Sequence, residues 1–85
     1  MDKILEEIAN EREYQISKWG GPDKDASNNT PADFVLYISK HSSGWFKGGL
    51  PPHNTEDFRK SMIKVATLAV AAIQAHDYVK ENHDG

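Results

Sequence analysis

There is no cysteine in this chain of 85 residues and 9.5 kDa, which excludes a disulfide framework, a thiolate zinc site and a cysteine nucleophile, and fits a reducing cytoplasm. Long hydrophobic runs are missing too. The most apolar stretch, Val65 to Ala75, is interrupted by Thr67 and Gln74, and falls far short of the ~20 residues that span a bilayer. Positive charge is not in excess, with ten Lys and Arg against thirteen Asp and Glu and a net charge of -3. Neither duplex nucleic acid nor a membrane surface is therefore the expected partner. Asp2, Lys3, Glu6 and Glu7 stand where a secretory signal would be apolar, so none is expected. The length excludes a two-domain enzyme. A chain this short buries only about 60% of its unfolded surface, and without the usual staples self-association is expected to supply further burial.

What is present reads as helix. The first segment runs from an Asp2 cap to about Trp19, with Glu6 and Glu7 complementing the dipole near its start. Leu5, Ile8, Arg12, Gln15 and Trp19 share one face, flanked by Ile4 and Ile16. Gly20, Gly21 and Pro22 must end it, and the Asp, Asn and Ser that follow to Asn29 read as a turn-rich loop. Thr30-Pro31-Ala32-Asp33 is a helix start, and the spacing predicts a helix over 31–43. Residues 44–53, with Trp45, Phe46, three glycines and two prolines, read as a loop long enough to act as a flap. Asn54 and Asp57 cap a helix predicted over 55–81, with Phe58, Met62, Val65, Ala69, Ile73 and His76 along one stripe. Its alanines favour close approach by helices on more than one side, and the chain is expected to fray from Asn82. The expectation is an all-α single domain of three helices, with a long C-terminal core helix, assembling as a helical homo-oligomer.

Few residues carry chemistry. Arg12 and Gln15 lie within the apolar seam of the first helix, where a charge must be paired. Two readings stand: an ion pair with Glu11, Asp25 or Asp33, or a guanidinium fork for phosphate with Gln15 reading a base or ribose edge. Arg59, Lys60 and Lys64 near the start of the last helix are either a solvated face or an anion-binding wall beside free helix amides. Tyr14, Lys18, Trp19 and Trp45 complete the candidate ligand-binding set, the rings suiting either the core or a flat nucleobase. Metal signatures fail. Asp23, Asp25 and Ser27 imitate the opening of a calcium loop, but Asn28 replaces the required glycine and Phe34 the final glutamate. His41, His53, His76 and His83 show no paired spacing, and His76 fits a core histidine. Glu7 and Glu11, with Asp77 as the late candidate, would make only an incomplete Mg²⁺ site.

The pattern Glu11-Arg12, Gln15, Trp19-Gly20, Asp23 to Asp25, Asp33, Tyr37, Phe58-Arg59 and Lys64-Val65-Ala66 through Ile73 to Asp77 resembles a family of small helical proteins encoded by bacteriophages. That family is distantly similar to the all-α nucleotide pyrophosphohydrolases. Here, however, Asn10 stands where their first acidic motif needs a carboxylate, and no Glu-x-x-Asp follows. In size and helicity the chain is also similar to phage sponge proteins that sequester the nucleotide signals of CBASS and Thoeris immunity. The resemblance implies a cytoplasmic protein that binds a cyclic oligonucleotide or an ADP-ribose-like molecule without catalysis and without metal or cofactor. The alternatives are a module that inhibits a host protein and a Mg²⁺-dependent pyrophosphohydrolase.

Overall fold

The computed structural model describes residues 1–46 and 56–83, and every element among them is helical. The chain is all-α. Helix α1 covers Asp2–Trp19, α2 Pro22–Asn28, α3 Pro31–Ser42 and α4 Glu56–His83, with a 3₁₀ turn at Ser43–Phe46 after α3. No helix among the described residues is long and apolar enough to cross a membrane.

Gly20 ends α1 at φ 101°, a left-handed geometry that a side chain strongly disfavours. A Cβ there would also lie 2.5 Å from Lys24 Cγ. The expected loop over residues 20–29 is instead largely helix α2, a fourth helix where three were anticipated. Local composition misled: Pro22 sits at the first helical position, where its missing N–H costs nothing, and Asp23 and Asp25 occupy the first turn. Tertiary contact completes the helix, because Asp25 is buried and Ala26 packs against the core. The start of α3 is a reciprocal capping box. Asp33 N–H donates to Thr30 Oγ1 at 3.2 Å, and Thr30 N–H donates to Asp33 Oδ2 at 2.8 Å.

Helix α4 is the spine, since α1, α2 and α3 each pack chiefly against it. Glu7 pairs with Arg59, Glu11 with Lys64 and Arg12 with Gln74, so α1 and α4 run in the same sense. Phe34 meets Ala71 and Ala75, whereas Trp45 meets Phe58, so α3 runs the opposite way. The buried side of α4 is Thr67, Ala71 and Ala75. It lies roughly opposite the stripe expected to be core: Met62, Val65 and Ala69 are half-buried, and Ile73 and His76 are exposed. An all-round apolar helix does not declare its inner face, and here small side chains win because they let Phe34 approach closely. Thr67 is tolerated there by donating its hydroxyl to the Ile63 carbonyl at 2.7 Å.

Several other expectations change. Leu5 and Trp19, placed on the core seam of α1, are exposed. His76 lies in the open beside Asp77, 3.0 Å away. Asn82 is still helical, its amide donating to the Tyr78 carbonyl at 2.8 Å. Most of the expected flap and the Asn54 cap lie outside the described residues, as do the last two residues of the expected frayed tail.

Candidate functional site

A cavity of about 660 Å³ opens where the helices meet, within the range of small-molecule sites. Helix α1 contributes Arg12, Gln15 and Trp19 to its wall, and α2 with its C-cap contributes Asp25, Asn28 and Asn29. Phe34, Tyr37, Lys40 and His41 come from α3, and Leu68 and Ala71 from α4. The spacing of Phe34, Tyr37 and His41 by three and four residues turns one face of α3 towards the cavity.

Arg12 organises the floor. Its Nη2 donates to Asp25 Oδ2 at 2.8 Å and its Nε to Gln74 Oε1 at 2.7 Å, the former bond buried. Of the two readings left open for this residue, the geometry supplies the ion pair, with Asp25 as the acid. Asp25 is thereby spent on structure rather than on calcium. The guanidinium still lines the cavity, but its charge is compensated, so the uncompensated positive groups on the wall are Lys40 and, when protonated, His41. Neither makes a hydrogen bond or ion pair among the described residues. Tyr37 is held in place by donating its hydroxyl to Asn29 Oδ1 at 3.0 Å and by an edge contact with Phe34, centroids 6.5 Å apart.

The other candidate residues do not join this site. Tyr14, Arg59, Lys60 and Lys64 border a second cleft between α1 and α4, together with Glu7, Glu11 and Glu56. There Arg59 donates from Nη1 to Glu7 Oε1 at 3.0 Å and from Nη2 to Glu7 Oε2, and Lys64 donates to Glu11 Oε2 at 2.7 Å. The Arg59 hydrogen bonds hold the Glu7 carboxyl below its ordinary range, and Glu7 in turn raises the Arg59 guanidinium. These basic residues, read as either a solvated face or an anion-binding wall, form largely a ladder of ion pairs, with Lys60 alone of the three lacking a carboxylate among the described residues. Lys18 lies over the rings of Tyr14 and Trp19, at 5.7 and 5.0 Å. Trp45, expected on a mobile loop, sits in the 3₁₀ turn and packs edge-on against Phe58 at 5.3 Å.

Glu7, Glu11 and Asp77, the carboxylates of the hydrolase alternative, pair with Arg59, Lys64 and His76 respectively. No group of three or more potential metal ligands forms among the described residues. Tyr37, Lys40, His41 and the Asn28-Asn29 pair are cavity residues that sequence reasoning did not nominate; the periodicity of α3 was the available signal. Comparison with family models, with curated proteins and with solved structures gives no match to this chain.

Proposed function

We propose that the protein is a non-catalytic binder of an anionic, nucleotide-like small molecule, taken into the cavity beside Arg12. The observation that carries this reading is the composition of the cavity lining: rings at Trp19, Phe34 and Tyr37, amides at Gln15, Asn28 and Asn29, and basic side chains at Lys40 and His41. Rings accept a flat base, amides read its edge, and the Lys40 ammonium with the His41 imidazole N–H meets phosphate. In the phage setting that the resemblance implies, such binding sequesters a nucleotide signal of antiphage immunity.

The same reading includes self-association. Hydrophobic side chains buried among the described residues are Phe34, Ala71 and Ala75, while Ile73, Val35 and Trp19 remain 60%, 64% and 67% exposed. So small a core leaves little to offset chain entropy. A second copy covering the Ile73 side of α4 supplies what is missing.

A thermal-shift panel of mono-, di- and cyclic nucleotides tests the binding. A ligand at 100 times its dissociation constant adds about 2.7 kcal/mol, which raises the melting temperature of a domain this size by roughly 10–20 °C. Flat curves across the panel reject the reading in favour of a protein partner, for which the exposed apolar residues would then be the docking surface. Release of monophosphate from nucleoside triphosphates with Mg²⁺ would favour the hydrolase.

A further inference from the structure

The cavity has two chemically different ends. Arg12 bonds to Gln74 and Phe34 packs on Ala71 and Ala75, so the Arg12–Asp25 pair and Phe34 share one level of α4. Lys40 and His41 follow Phe34 by six and seven positions on α3, which places them roughly 9–10.5 Å further along its axis. Tyr37, one turn beyond Phe34, lies between the ends, and Leu68 fills the corresponding turn of α4.

At the Arg12 end two polar atoms are unspent. Arg12 uses Nε and Nη2, and Asp25 uses Oδ2. Arg12 Nη1 and Asp25 Oδ1 make no hydrogen bond among the described residues, and neither is buried without a partner. Both atoms therefore keep accessible surface, and both residues line the cavity. The free guanidinium N–H and the free carboxylate oxygen offer one donor and one acceptor. Their complement is a molecular edge carrying an N–H next to an acceptor. Among the common bases guanine fits best, because N1–H and the 2-amino group both donate to a carboxylate while O6 accepts from a guanidinium. Adenine, with N6–H beside N1, also matches one donor and one acceptor, but it gives the carboxylate a single amino group where guanine gives it two N–H groups.

We propose that the ligand is a guanine nucleotide entering base first, with its donor edge on Asp25 Oδ1, O6 on Arg12 Nη1, the base beside Tyr37, and the phosphate between Lys40 and His41. The proposal rests on the nucleotide reading above and adds the base identity and the direction of binding. Its phosphate end is made of Lys40 and His41, the two basic cavity side chains without a partner among the described residues, and its base end of the pair that is already fixed in the folded chain.

Calorimetric titration of the full chain with 5′-GMP, 5′-IMP, 5′-AMP and guanosine tests both additions. GMP should bind about tenfold or more tighter than guanosine and than AMP, and tighter than IMP, which lacks the 2-amino group. In the Lys40→Ala/His41→Ala double variant, GMP should fall to the affinity of guanosine; both residues are exposed, and circular dichroism verifies the fold. AMP binding as tightly as GMP overturns the base assignment while leaving the nucleotide reading intact. Equal affinity of GMP and guanosine, or a double variant that still distinguishes them, overturns the phosphate assignment. Binding by none of the four, if the wider nucleotide panel is also flat, removes the nucleotide reading itself.

Discussion

Replacing Arg12 by alanine should destabilise the ligand-free protein severely. The two side chains of the pair are only 6% and 12% exposed and meet at 2.8 Å. At an effective dielectric of about 20, two unit charges at that distance attract by roughly 6 kcal/mol, which offsets the cost of removing both from water. Arg12→Ala deletes the attraction and leaves Asp25 charged, buried and unpaired, a change worth about 3–5 kcal/mol. Gln74 Oε1 loses its donor as well. A chain of this length has roughly 4–13 kcal/mol of stability in total, so the loss is a large fraction of it, equivalent to roughly 12–40 °C in melting temperature. Thermal denaturation followed by circular dichroism, without ligand, measures it. The control is Arg12→Leu/Asp25→Leu, which removes both charges and should recover most of the loss, because a buried pair replaced as a whole is often neutral. The reasoning is refuted if Arg12→Ala melts within about 1 kcal/mol of the parent, or if the double variant is no more stable than the single one.

Four further outcomes follow, three from the fold and one from the proposed self-association. Thr30→Ala removes half of the α3 capping box and should cost about 1 kcal/mol in a thermal melt. Gly20→Ala forces a side chain into a positive-φ position against Lys24 and should cost about 1–3 kcal/mol by the same measurement. Ile73→Glu places a charge on the exposed apolar side of α4, and analytical ultracentrifugation should then find a 9.5 kDa monomer where the parent is larger; a parent that is itself monomeric contradicts the self-association. Arg59 lowers the Glu7 carboxyl, so the pair's contribution is present above the ordinary carboxylate range and is lost as pH falls through the lowered value. The difference in melting temperature between the parent and Glu7→Gln should accordingly vanish in acid and shrink with added salt at neutral pH.

The all-α class is legible in the chain because its helix signals are strong and local. Gly20 with Pro22 marks the end of α1, and Thr30 with Pro31 and Asp33 marks the start of α3. Helix α2 is not legible, since Asp23, Asp25, Ser27 and Asn28 are weak helix formers and burial of Asp25 with the packing of Ala26 completes the helix. The inner face of α4 is hidden for the same reason: Thr67, Ala71 and Ala75 look like the less hydrophobic choice until Phe34 is seen to need their small size. At the candidate site, Arg12 stands out in sequence as a charge in an apolar seam, and Asp25 is one of three acids that could answer it. Only the packing of α2 selects Asp25. The pairing of Arg59 and Lys64 is not legible because their partners, Glu7 and Glu11, are some fifty positions away in sequence, whereas Lys40 and His41 pass as an ordinary helix end.

The binding claim is tested most directly by the two tryptophans, because one lines the cavity and the other packs on Phe58. Titration of isotope-labelled protein with 5′-GMP, observed through the two indole N–H signals, should move Trp19 in a saturable way and leave Trp45 in place, with the nucleotide recovered chemically unchanged. Movement of neither signal, shifts centred on the Glu7 to Lys64 cleft, or recovery of a hydrolysed nucleotide would contradict the account.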